Sequence, residues 1–119
     1  MIVVDTNVVS ELMKPSPSGP VTEWVRSRTG SELYTTSITL AGILYAIARH
    51  PDEHRKELLR SCASEAFAAF EDQVLPFDPS AARHFVDVVG GRDQLGLPIE
   101  GFDAQIASIC RAHDAETSP

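Results

Sequence analysis

Residues 1–12 read MIVVDTNVVSEL. Ile2, Val3 and Val4 form a short, unbroken apolar and β-branched run, the pattern of a strand covered on both faces rather than on one. The run ends at Asp5, and Thr6 and Asn7 follow before a helical pattern carries Val8, Val9, Leu12 and Met13 as far as Pro15, with Asn7 as its expected cap. A strand that passes directly into a helix is the opening unit of an alternating α/β chain. In such folds the sheet is parallel and sites form beyond the carboxyl ends of its strands. Asp5 stands at such an end. Taken alone, an aspartate there is more often a turn or cap residue than a functional one.

The remainder of the chain keeps the alternation. KPSPSGP, residues 14–20, is a loop by composition, and Pro20 suits the first position of a second helix with Val21, Trp24 and Val25 on one face. Leu33 to Thr36 reads as a second strand, with Ser37 or Thr39 capping a helix whose stripe is Leu40, Ile43, Leu44 and Ile47. The longest helix is predicted from Glu53 to about Glu71, with Leu58, Leu59, Cys62, Ala66, Phe67 and Phe70 at helical spacing. Gln73 to Phe77 is the third expected strand. Asp78-Pro79 then starts a helix carrying Ala82, Phe85, Val86 and Val89, which Gly90-Gly91 is expected to end. A final helix begins near Phe102 and turns Ile106, Ala107, Ile109 and Cys110 inward.

Bulk properties bound the function. A chain of 119 residues is one domain, and its formal net charge of -7 argues against a partner held only by general attraction to phosphates. Cys62 and Cys110 lie among apolar residues without metal-ligand spacing, so both are expected as buried free thiols. No secretory signal is visible, because Asp5 interrupts the first apolar run, and no run approaches the ~18 apolar residues of a membrane span. A cytoplasmic protein with no membrane partner is the expectation.

The second chemical candidate is Asp103 in GFDAQIAS, residues 101–108, at the first turn of the last helix. An acid is favoured there by the helix dipole alone. Asp103 has no lysine or arginine within the four residues before it, so nothing nearby in sequence neutralises it. Two such carboxylates brought together repel unless a hard cation lies between them, and Mg²⁺ or Mn²⁺ serving phosphodiester chemistry is the usual solution. Glu11 and the balanced charges of ARHPDEHRKELLR read as solvated helix faces, and His50, His54, His84 and His113 as surface residues rather than zinc ligands.

Four segments in order, MIVVDTNVVSELMKP, SITLAGILYAIARHP, LPFDPSAARHF and IEGFDAQIASICRAH, resemble the PIN-domain ribonucleases. The likeness is to the VapC-type toxins of bacterial toxin–antitoxin modules and their FitB-like relatives, and it covers the chain to about His113. It implies a PIN-like α/β fold, a short parallel sheet flanked by helices. It also implies an RNA substrate cut by water activated at a Mg²⁺ or Mn²⁺ site, a VapB-type antitoxin as partner, and pairing as a homodimer. Position by position, the resemblance makes Asp5 and Asp103 the metal-binding and catalytic acids, with Thr6 and Asn7 in support.

Two departures stand against full activity. The family carries a glutamate where this chain has Gly42, in Thr39-Leu40-Ala41-Gly42-Ile43, and a mid-helix glycine costs roughly 1 kcal/mol relative to alanine. The family also continues past the last helix into a strand with a further acid. Residues 114–119 show no strand pattern and align with no such acid, so the chain reads as a PIN domain over 1–113 with a divergent or truncated tail lacking the C-terminal strands. The expectation is an impaired ribonuclease, or alternatively an inactive PIN-like module that binds an antitoxin or dimerises. A receiver-like phosphoacceptor would want an acid pair after strand one and a lysine near the end, and neither is present.

Overall fold

In a computed structural model of the chain, which describes residues 1–28, 32–70, 72–97 and 99–117, β1 (Ile2–Val3) lies between two other strands. β2 (Leu33–Thr36) pairs on one side, with Val3 opposite Tyr34, and β4 (Glu116–Thr117) pairs on the other, with Val3 opposite Thr117. β3 (Val74–Leu75) continues the sheet beyond β2, giving the order β3-β2-β1-β4 with every pair parallel. Six helices surround the sheet: α1 (Thr6–Leu12), α2 (Gly19–Arg26), α3 (Ser37–Ala48), α4 (Glu53–Ala68), α5 (Pro79–Gln94) and α6 (Gly101–Ala112).

Alternation along β1 and β2 divides the core in two. Val4 and Leu33 join Val9, Ile43, Ile47, Ala63 and Phe70 from α1, α3 and α4, while Val3 joins Leu75, Ala81, Ile109 and Cys110 from the side of α5 and α6, with Tyr34 packed against them. The expected α/β architecture, a short parallel sheet flanked by helices, is therefore the architecture found.

Details differ, each for a local reason. Asp5, not Asn7, occupies the N-cap position of α1, and Asn7 lies exposed in the first turn. Thr36, not Ser37 or Thr39, caps α3, its Oγ1 accepting from the Thr39 N–H at 3.0 Å. Gly90 and Gly91 lie inside α5 rather than ending it. The stop is Gly96, whose φ of 69° lets its N–H reach the Asp93 carbonyl and the Leu97 N–H reach that of Arg92, a paired closure of the last turn. The third strand is shorter than Gln73–Phe77, and the expected end of α4 at Glu71 lies outside the described residues, as do Pro98, Ser118 and Pro119.

Several expected core residues are turned outward: Leu44 is 45% exposed, Leu58 52% and Val86 72%. Cys110 is buried as expected, whereas Cys62 is only half-buried. Conversely, Val8, Trp24 and Val25, on the apolar faces of α1 and α2, pack on the first cluster.

The tail also departs from expectation. Residues 116–117 form β4, although GluThr carries no strand signal. What places them there is the end of α6. Asp114 takes a φ of 51°, its N–H donates to the Arg111 carbonyl, and the Ala115 N–H donates to that of Cys110 at 2.9 Å. Ala115 then packs against the second cluster, and the chain is aimed along β1.

A left-handed φ costs an aspartate more than a glycine, so Asp114→Gly is expected to raise unfolding free energy by about 0.5–1 kcal/mol in a denaturant titration. The Thr35 Oγ1 on β2 is buried without a hydrogen-bond partner among the described residues. Replacing it by the nearly isosteric valine is expected to stabilise by about 1 kcal/mol in the same titration, because the orphaned hydroxyl carries a desolvation cost that valine lacks.

Candidate active site

Two chain segments meet at the carboxyl ends of β1 and β2, and a third packs against one of them. The first is Asp5-Thr6, which leaves β1 and enters α1 without an intervening loop. Asp5 is half-buried and sits at the cap position, yet its side chain makes no capping hydrogen bond to α1. Asp52 and Asp78, at the same position in α4 and α5, both do cap, Asp52 accepting from His54 and Arg55 and Asp78 from Ala81.

The second segment is the start of α3. Thr36 and Thr39 are buried, and the Thr36 hydroxyl donates to Thr39 Oγ1 at 3.1 Å. Thr39 Oγ1 in turn lies 3.4 Å from Thr6 Oγ1. This chain of three hydroxyls ties the end of β2 and the first turn of α3 to the residue after Asp5. It satisfies polar groups that burial would otherwise penalise.

The third segment is the start of α6, where Asp103 is exposed in the first turn. Contact with α3 runs through Gly42. A Cβ built at Gly42 would lie 3.3 Å from Phe102 Cδ2 and 3.4 Å from Cε2, so one edge of the ring rests against the bare helix at that point. Gly42 has a packing reason that its sequence context did not reveal. The residue with a Cβ that the family places there would press on the ring next to Asp103.

Asp5 and Asp103 offer hard carboxylate oxygens, with the Thr6 hydroxyl alongside the former, and the donor chemistry suits Mg²⁺ or Mn²⁺, which take one or two carboxylates and keep several waters. Among the described residues, no group of three or more His, Cys, Asp or Glu side chains is placed to hold a metal. The donor set therefore fits in kind while being sparse.

The other polar candidates fall away from this region's chemistry. Glu11 pairs with Lys14 at 3.3 Å on the surface of α1. The His50 Nδ1 accepts from the Asp52 N–H, closing the turn into α4. Burial pushes the Cys110 thiol up, only partly opposed by the Thr117 hydroxyl at 3.7 Å, which makes it a structural thiol rather than a nucleophile. Sequence reasoning overlooked Thr36, Thr39 and Phe102 as site residues. The threonines carried a weak signal, since hydroxyls directly after a strand are cap candidates, but their link to Thr6 needs the fold.

Residues 2–117 match the PIN-domain family. The chain is 34% identical over 114 residues to a VapC ribonuclease, Y4jK, of Sinorhizobium fredii, covering 95% of this chain and 81% of that protein. It is 28% identical to the toxin FitB of Neisseria gonorrhoeae over 95% of this chain and 82% of that one. The crystal structure of FitAcB from Neisseria gonorrhoeae superposes with a TM-score of 0.87 at 27% identity, covering 100% of this chain and 86% of the other.

The hydroxyl chain is open to a direct test. Thr39→Val removes the hydroxyl shared between Thr36 and Thr6, and a loss of about 1–3 kcal/mol in urea unfolding is expected, against less than ~0.5 kcal/mol for an exposed control such as Ser64→Ala.

Proposed function

This chain belongs to the PIN-domain family, and on that premise we propose that it is a VapC-type toxin, an endoribonuclease dependent on Mg²⁺ or Mn²⁺, held in check by a VapB-type antitoxin in the cytoplasm. What supports the reading is the hydroxyl chain that ties Thr6, next to Asp5 at the end of β1, to the start of α3, together with the Phe102–Gly42 contact that packs the start of α6, which carries Asp103, against α3. Asp5 and Asp103 are the residues that would hold the cation. When bound, the cation supplies charge neutralisation at the scissile phosphate and lowers the pKa of attacking water.

The chain's own residues supply the rest. Thr6, anchored through Thr39, keeps the end of β1 from shifting relative to α3, so that Asp5 keeps its place. Asn7 presents an exposed amide beside it, able to donate to a phosphate oxygen of the substrate. Gly42 contributes no charge, and with a carboxylate missing the cation is held less tightly and the reaction runs slowly. Loss of even an outer partner of a metal typically costs ~10–100-fold in affinity or activity.

The alternative, an inactive module that binds an antitoxin or pairs with a second copy, is favoured by the same glycine. A homodimer belongs to both readings, and Leu44 and Tyr45, 45% and 59% exposed on α3, are the apolar side chains it would cover.

Incubating the chain with a structured RNA separates the two readings. Slow cleavage that EDTA abolishes, and that Asp5→Asn and Asp103→Asn each reduce at least ~10-fold, is expected of the ribonuclease. Calorimetry should show Mn²⁺ binding lost in the same two variants. Cleavage indifferent to EDTA, or unchanged Mn²⁺ affinity in both, would sink this reading.

A further inference from the structure

The first turn of α6 is lightly held. Glu100, at the N-cap position, makes no side-chain hydrogen bond to the helix, and Gly101 has no side chain to pack. Asp103 is exposed, and burial begins one residue later, at Ala104. From this turn Phe102 reaches another element: the ring edge at Cδ2 and Cε2 lies against the bare backbone of α3 at Gly42. The side chain is otherwise open, with 49% of its surface exposed, so the contact is one ring edge against one residue. Phe102 and Asp103 are consecutive in a turn closed by the Ala104 N–H donating to the Glu100 carbonyl at 2.8 Å. Where the ring is seated on α3 therefore sets where the Asp103 backbone stands.

Gly42 follows Thr39 by three residues in α3, so the two lie on neighbouring turns of one helix face. Thr39 is the residue whose hydroxyl lies 3.4 Å from that of Thr6, next to Asp5. One face of α3 thus takes the Asp5 segment at Thr39 and the Asp103 segment at Gly42. We propose that Phe102 is a positioning residue, which by seating on Gly42 makes α3 the common reference that spaces Asp103 from Asp5. This rests on the ribonuclease reading above, in which the two carboxylates hold one cation, and adds to it the residue that sets their separation. Phe102 itself touches neither cation nor substrate. A Cβ at position 42 would stand 3.3 Å from the ring, and the neighbour would have to give by a few tenths of an ångström. Ligand distances at a metal site tolerate about 0.2 Å, so a displacement of that size is felt as affinity. An added Cβ either pushes the turn away or swings the ring off α3, and in both cases Asp103 loses its reference.

The experiment measures Mn²⁺ affinity by calorimetry, with thermal unfolding alongside, in the unmodified chain, Phe102→Ala, Phe102→Leu, Gly42→Ala and the double variant Gly42→Ala/Phe102→Ala. Asp103→Asn marks the loss of the ligand itself. Expected is a weakening of about 10-fold in Phe102→Ala, with Phe102→Leu, which still reaches α3, within about 3-fold of the unmodified chain. Gly42→Ala should bind Mn²⁺ more weakly even though alanine favours the helix, which a merely structural role of the glycine would not produce. The double variant should bind no more weakly than Phe102→Ala alone, because the added Cβ then meets no ring. Mn²⁺ affinity in Phe102→Ala within about 2-fold of the unmodified chain, with binding lost in Asp103→Asn, would overturn the positioning role and leave the ribonuclease reading intact. Fully additive losses in the double variant would overturn it as well, since the ring would then not act through Gly42. An unmodified chain that binds no Mn²⁺ would remove both readings.

Discussion

Val3 and Val4 point to opposite sides of the sheet, and water reaches neither, at 0% and 1% exposure. A two-residue strand can be this buried only if both its edges are paired and both its faces are covered, which here takes β2, β4 and helices from each side. That requirement determines the site. Because its neighbours run parallel, the carboxyl ends of β1 and β2 open on the same rim, and the helices that follow them, α1 and α3, begin side by side there. Thr36, Thr39 and Thr6 then bridge the two beginnings with a run of hydroxyls, of which those of Thr36 and Thr39 are buried.

How much of this was legible depended on whether the signal was local. The apolar run at Ile2–Val4, the Asp78-Pro79 helix start and the stripe through Ile43 and Ile47 are local patterns, and the elements they predict are present. Asp5 and Asp103 were legible as candidates because a carboxylate at a strand end or helix start is visible in one dimension. What failed were features decided by partners distant in sequence. β4 has no strand composition and exists because the left-handed Asp114 steers it onto β1. Gly90-Gly91 carries the composition of a helix stop, yet the closing hydrogen bonds form at Gly96, where the backbone adopts positive φ. Leu44 and Val86 followed helical periodicity, but the sheet is too narrow to cover the full width of their helices.

Gly42 shows how the same residue reads differently in sequence and in space. In sequence it is a helix-weakening substitution at the place of an acid, costing roughly 1 kcal/mol of propensity with nothing in return. In space the bare backbone at Gly42 lets an edge of the Phe102 ring lie against α3, closer than a Cβ would comfortably allow. The two positions lie far apart in the chain and are one packing decision. Any account of the charge lost at 42 has to include the ring gained at 102.

The position of β4 bears on the order in which this molecule can be assembled. β1 leaves the ribosome before the strands that pair with it, and Ile2 takes its second neighbour from Glu116, more than a hundred residues later. Until then β1 has one open edge, with its apolar side chains unprotected on the side of α5 and α6, because Ile109 and Cys110 also arrive late. The rim that carries Asp5 therefore becomes rigid only after residues 101–117 have been made, since both the second edge of its strand and the helix bearing Asp103 lie there. A nascent chain holds Asp5 long before Asp103 and β4 have been made, and its site is complete only once they have.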